Sequence, residues 1–288
     1  AGEGAVEAEL KRLRAEVEGV LVKRNSVGAQ LTGTLAAPLE KVVTSLGIQD
    51  LGRWMARLQA IQGQVAYLTV RNEPRGTAFL VGPDVALTNY HVLEDVIAKT
   101  TPADQVELRF DYSRDGAGVV QTTVNVKLAN EWLLAHAPWS NADFSADIRT
   151  LPDAGELDYA LVRLARRVGD ETRGGSPRRW VELPATPAAL TPGMQLFILQ
   201  HPQGLPLQVA LDKVEAVNSN GTRARYLTNT QGGASGSPCL DQDWNRFARI
   251  TADDFYLCEG QIHGIDTVTG TLITDAAVPK ALVALFED

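Results

Sequence analysis

Gly76-Thr-Ala-Phe-Leu-Val-Gly-Pro-Asp-Val-Ala-Leu-Thr-Asn-Tyr-His-Val92 reads as an apolar strand, a Gly-Pro-Asp turn and a second apolar strand that delivers His91 at its end. Beyond this hairpin the chain keeps a period of two. Val106-Glu-Leu-Arg-Phe110 and Val124-Asn-Val-Lys-Leu128 alternate apolar and polar residues at every step, and Leu207-Gln-Val-Ala-Leu211 does so nearly as cleanly, the pattern of half-buried strands. Val65–Val70, Thr77–Val81, Val85–Asn89, Tyr159–Leu164, Gln195–Gln200, Arg225–Thr228 and Gln261–Thr267 are further strand candidates, with short turns such as Asn220-Gly221 between them. Many short strands separated by turn signals point to a mostly β protein, a sandwich or a barrel.

Composition sets the outer limits. The chain has 288 residues, 44% hydrophobic and 22% charged, enough to close a real core and too apolar for a disordered chain. The longest uncharged stretch, Leu183–Leu211, is interrupted by prolines, so a membrane span is not expected. A net charge of −8, spread along the chain, argues against nucleic acid as a partner, because phosphate binding needs a basic face. Ala1–Gly4 carry no charged-then-apolar leader signal, and the two cysteines, Cys239 and Cys258, make no disulfide framework. The expectation is therefore a reducing, cytoplasmic setting.

The first sixty residues follow a different rule. Val6, Leu10, Leu13, Val17 and Val20 recur at steps of four and three, one stripe of a helix over Val6–Arg24. A Gly-, Thr- and Ala-rich connector follows, and then a second helical region over Leu39–Gln62 with a break at Gly47. These helices are either a packing appendage or a functional element, an adaptor that binds a regulatory protein or an oligomerisation element. Val278–Phe286 reads as a C-terminal helix, and the arginine-rich segment Arg163–Trp180 as a partner patch or, the favoured reading, a solvated linker between two β units.

Three segments carry chemistry, and their order matters more than any one of them. The hairpin supplies His91, Leu157-Asp-Tyr-Ala-Leu-Val-Arg-Leu164 places Asp158 at the start of a strand, and Gln231-Gly-Gly-Ala-Ser-Gly-Ser-Pro238 presents Ser235 on a glycine-rich loop. A serine hydroxyl is a weak nucleophile at neutral pH and needs an imidazole to take its proton, while a carboxylate fixes the imidazole tautomer. Gly232 and Gly233 permit the backbone geometry that aims the amides of Gly233 and Ser235 at one point, an oxyanion hole. His136, His201 and His263 match no such position. His201 reads as a structural corner, and Cys239, Cys258 and His263 lack paired metal-ligand spacing, so neither metal nor cofactor is expected.

Thr-Asn-Tyr-His-Val (88–92), Asp-Tyr-Ala-Leu (158–161) and Gly-Ala-Ser-Gly-Ser-Pro (233–238), in that order, resemble the trypsin-like serine peptidases of the chymotrypsin fold, closest to their compact bacterial branch. Gly260–Asp266 and Ala276–Pro279 are similar to that branch's later strand and Ala-x-Pro turn. The resemblance covers roughly Val65 to Phe286. It implies two six-stranded antiparallel β-barrels, 63–172 and 173–288, behind a helical extension over 1–62, and a protein substrate cleaved through an acyl-enzyme on Ser235. It also implies an intracellular effector of a defence system.

Two departures qualify the resemblance. Ala234 stands where zymogen-activated relatives carry an Asp that pairs with a new N-terminus, so that switch is absent and the N-terminal helices become the candidate regulator. Asp241–Glu259 is an insertion, either an extra hairpin beside the specificity pocket or packing alone. The resemblance puts Asn229 and Thr230 on one pocket wall and Asp266 on another, where its carboxylate would favour Arg or Lys at P1; a neutral, apolar pocket is the alternative. The competing functions are a catalytically silent binding module and a non-peptidase acyl hydrolase, the latter disfavoured by Pro238, which argues against a helix after Ser235.

Overall fold

The computed structural model describes residues 50–288 apart from 146, 148, 154, 182–191, 221, 227–231, 242–255, 259–267 and 273–288. The chain divides into two compact units, 1–50 and 51–288, and every element described here belongs to the second. The expected helix over Val6–Arg24, the start of the second helical region, the strand Gln261–Thr267 and the helix Val278–Phe286 lie outside the described residues.

The first sheet closes into a six-stranded barrel. Its strands are β1 (Val65–Val70), β2 (Glu73–Leu80), β3 (Val85–Thr88), β4 (Val106–Phe110), β5 (Val124–Ala137) and β6 (Tyr159–Leu164), hydrogen-bonded in the ring order β1-β2-β3-β6-β5-β4. Two sequence patterns separate by position in this ring. β4 alternates buried and half-buried residues along Val106–Phe110, because one face meets the core and the other meets water. β1, β3 and the second half of β2 are continuously buried instead. Ala66, Leu68, Ala78, Leu80, Ala86, Ala160 and Val162 fill the barrel interior. Their neighbours Val65, Phe79, Val81, Val85, Leu87, Tyr159 and Leu161 point the other way, into a second core shared with Leu199 and Leu240 of the following sheet. An unbroken apolar run thus marks a strand covered on both faces, and each fully buried large side chain contributes about 1.5–3 kcal/mol.

The second sheet is built from β9 (Gln195–Gln200), β10 (Gln208–Val217), β11 (Arg223–Tyr226), β12 (Ser237–Asp241), β13 (Tyr256–Cys258) and β14 (Val268–Leu272), after a two-residue pair β7 (Thr172–Arg173) and β8 (Ser176–Pro177). β9 pairs with both β10 and β12, and the order runs β10-β11-β14-β13-β12-β9. Part of the expected insertion is therefore a sheet strand, since Tyr256–Cys258 pair with Ser237–Cys239.

The helix α1 (Leu51–Gln64) lays Trp54, Leu58 and Ile61 against the shared core, with the Trp54 ring edge-on to Phe197 at 6.4 Å; Leu51 and Met55 remain exposed. The alternation in Leu207–Leu211 has the opposite outcome from its expectation. Val209 and Leu211 are 48% and 60% exposed, while Ala210, opposite Ile198, packs inward. Val209 and Leu211 lie opposite Leu199 and Phe197, on the face that the first barrel covers over β9 but no longer over β10.

Candidate active site

His91 is not at the tip of a strand but in the first turn of a helix, α2 (Tyr90–Ile97), which follows β3 directly. Val92, Leu93 and Val96 bury one side of this helix in the first barrel, which fixes the direction of the imidazole. The cap residue Asn89 makes no side-chain cap; its Nδ2 instead donates to the Asp158 carbonyl at 2.8 Å. The orphan amide of the first turn is taken by Asp158. The His91 N–H donates to Asp158 Oδ1 at 3.0 Å, and His91 Nδ1 lies 2.7 Å from Oδ2. A carboxylate only accepts, so the proton sits on Nδ1 and leaves Nε2 as the basic nitrogen. The Asp158 side chain is 1% exposed and the His91 side chain 30%.

Asp158 immediately precedes β6, at φ 46°, a left-handed conformation that Asp tolerates better than most residues. Its N–H donates to the Pro138 carbonyl at 2.9 Å. The loop leading to it is tied down from the second sheet. Arg223 of β11 grips Asp143 with Nε–Oδ1 at 2.5 Å and Nη2–Oδ2 at 2.9 Å, and its Nη2 also donates to the Glu156 carbonyl. Asp143 in turn closes a capping box with Ser140, whose hydroxyl donates to Glu156. That bond and the Asp153 amide hold the Glu156 carboxyl below its ordinary range.

Ser235 is buried just ahead of β12, and its loop is held by the first barrel. Thr77 of β2 donates its N–H to the Ser235 carbonyl at 2.8 Å and its hydroxyl to the Gly233 carbonyl at 2.8 Å. Close approach is possible because Gly76 has no side chain: a Cβ there would lie 2.8 Å from the Ser235 carbonyl oxygen and 2.9 Å from Val92, the residue after His91. Of the two glycines expected to shape the loop, Gly233 alone takes a left-handed φ, +97°. The expectation of both is corrected to one: Gly232 needs no special backbone, and a Cβ there meets nothing within 4 Å.

His201 is a corner, as its place in Leu199-Gln-His-Pro suggested. Its ring forms a three-ring cluster with Tyr67 and Tyr112, at 5.5 and 5.7 Å from them, with Nδ1 3.0 Å from the Leu205 carbonyl. Burial pulls its imidazole down to about 4, and the Leu205 bond offsets only part of that. His136, exposed, stacks on Tyr90. No group of three or more metal-ligating side chains gathers among the described residues, and no helix there is long and apolar enough to cross a membrane. The expected pocket residues Asn229, Thr230 and Asp266 lie outside the described residues.

Thr77 and Asn89 are the residues that sequence reasoning passed over. Each left a signal: a polar side chain inside a run that must be buried on both faces needs a hydrogen-bond partner.

The family of the trypsin-like peptidase domain matches residues 76–248. A probable serine protease of Lysobacter enzymogenes is 31% identical over 185 residues, 61% of this chain and 28% of that protein. An uncharacterised protein of Sinorhizobium fredii, y4fB, is 24% identical over 219 residues, 73% of this chain and 29% of its own. The chain thus spans under a third of the length of these curated relatives. Among solved structures, Deg5 aligns with a TM-score of 0.50 at 15% identity, covering 81% of this chain and 95% of that one. A Glu endopeptidase in complex with MPD aligns with a TM-score of 0.51 at 18% identity, covering 79% and 92%. At these identities the likeness to the solved structures is one of fold: mostly β, chymotrypsin-like, with a closed six-stranded barrel.

Proposed function

The chain belongs to the trypsin-like peptidase family, and from that premise we propose that it is a serine endopeptidase acting through Ser235, His91 and Asp158. The observation that carries the reading is the double grip of Asp158 on His91, through Nδ1 and through the amide of the same residue, which leaves Nε2 as the base. Ser235 Oγ attacks the scissile carbonyl carbon as its proton passes to Nε2, and the amides of Gly233 and Ser235 take the oxyanion. The C–N bond then breaks, the amine leaving with the proton from His91. Water, deprotonated by His91, attacks the acyl carbon, and the serine recovers its proton as the acid departs. The scheme needs neither metal nor cofactor.

Around this centre, the second sheet is read as the second barrel of the fold, so that 63–172 and 173–288 flank a cleft for an extended protein chain. Residues 1–62 are the extension through which a regulatory protein partner acts, in a cytoplasmic defence role. Asn229 and Thr230 form one wall of the P1 pocket and Asp266 the other, selecting Arg or Lys; an unchanged P1 profile for Asp266→Ala across a fluorogenic library would sink that assignment.

Labelling by a fluorophosphonate tests the central reading. The wild-type protein is expected to be labelled and Ser235→Ala not. A wild-type protein that takes up no label would be a binding module rather than a peptidase.

A further inference from the structure

The nucleophile loop lacks the acidic residue that an activation cleavage could use, since position 234 is Ala, yet its carbonyls are held from outside. Gln203, in the turn Pro202–Gly204, donates its N–H to the Gly232 carbonyl at 2.5 Å. Thr77 donates its hydroxyl to the Gly233 carbonyl and its N–H to the Ser235 carbonyl. The two supports are joined, because the His201 N–H donates to the Thr77 hydroxyl at 3.1 Å, and Thr88 donates to the Thr77 carbonyl at 2.8 Å. Thr77 is fully buried, and both hydroxyl roles, donor and acceptor, are used.

The consequence follows from the planarity of the peptide. In a trans peptide the C=O and the following N–H point in opposite directions. Holding the Gly232 carbonyl on the Gln203 amide therefore directs the Gly233 N–H away from the turn and fixes the plane that carries it. Holding the Gly233 carbonyl fixes the next plane, and a rotation of either would break a bond to a buried partner. Gln203 itself takes a left-handed φ of 54°, and a Cβ on Gly233 would lie 2.6 Å from the His201 carbonyl oxygen. The two backbones are in contact, with no room for the loop to turn over.

We infer that Thr77 and the Pro202–Gly204 turn are the positioning residues of the oxyanion hole, holding the Gly233 amide in its working direction before substrate arrives and without an activation cleavage. This rests on the peptidase reading above.

The test is a split between kcat and KM. Thr77→Val removes the hydroxyl at constant shape, and its kcat and fluorophosphonate labelling rate are expected to fall about ten- to hundredfold with KM nearly unchanged, a fraction of the loss seen on deleting an oxyanion donor. Thr77→Ser restores most of the rate. A peptide aldehyde, whose adduct places an oxyanion in the hole, weakens in parallel with kcat/KM. Should Thr77→Val fail to fold, replacing Gln203 by its α-hydroxy acid analogue turns its amide into an ester, removes the other donor while leaving the left-handed φ of 54° available, and is expected to show the same split. Wild-type labelling with unchanged rates in Thr77→Val and in the Gln203 ester would overturn the positioning inference alone, as would a change confined to KM. No labelling of the wild type would overturn the peptidase reading instead.

Discussion

Acidification should weaken this fold through His201 before it weakens it through its carboxylates. The imidazole is packed against two tyrosine rings, and its Nε2 is buried with no hydrogen-bond partner among the described residues, so burial disfavours the cation and lowers its pKa from 6.5 to about 4. The unfolded chain takes up the proton near 6.5 and the folded one near 4, so between those values the unfolded state binds more protons and stability rises with pH. The contribution is whole above the unfolded value and is lost as the pH falls towards 4. At about 1.4 kcal/mol per pH unit the full shift is worth about 3 kcal/mol, of which about 2 kcal/mol is lost between about pH 7 and about pH 4.5. His201→Asn removes the titration while an amide N–H remains to reach the Leu205 carbonyl. Urea unfolding of both proteins at several pH values across that window should show the wild type losing about 2 kcal/mol more than the variant. Three carboxylates with lowered pKa act further down, among them the exposed Asp147 beside Arg149. Burial alone would raise Asp111, but Arg178 and Arg173 hold it low, and Ser140 does the same for Glu156. Equal losses in the two proteins above about pH 4.5 would refute the reasoning.

Three other outcomes are expected. Asp158→Asn offers an N–H where His91 needs an acceptor, so peptide hydrolysis should fall by about 10⁴-fold with the thermal midpoint little changed, since Asn tolerates the left-handed backbone. Gly233→Ala should abolish labelling of Ser235 while Gly232→Ala keeps it, because only the former combines a φ of +97° with a carbonyl oxygen 2.6 Å from the new methyl. Arg223→Met strands the Asp143 carboxylate in a buried position and should cost about 3–5 kcal/mol in urea unfolding, whereas Arg149→Ala, at an exposed ion pair, should leave the midpoint where it is.

The strands were legible because burial writes itself into residue order. Val106–Phe110 alternates and is half-buried, while Ala78–Leu80 and Tyr159–Val162 run apolar and are buried on both faces, a distinction that already says which strands meet a second layer. Leu207–Leu211 shows the limit of that code, since alternation names two faces but not which one finds cover. Helix α2 escaped notice because it begins one residue after β3, with Asn89 as its only sign. The pairing of His91 with Asp158 followed from residue types and spacing, whereas the bonds from Thr77 to the Ser235 loop could not. Those bonds depend on Gly76 letting two distant backbones touch, a contact between segments with no shared local pattern.

That contact also orders events in time. The Thr77 hydroxyl and the Gly233 carbonyl are separated by 156 residues of sequence, so the loop they close is among the longest in the fold and belongs to the late stages of folding. A chain emerging from its N-terminus completes the strands of the first barrel, and with them the His91–Asp158 pair, before the segment bearing Ser235 has been synthesised. A nascent or truncated chain would hold a base and its orienting carboxylate with nothing to activate. Under the proposed function, proteolytic activity would then switch on only when the last third of the chain docks onto β2, which spares the cell a half-made protease.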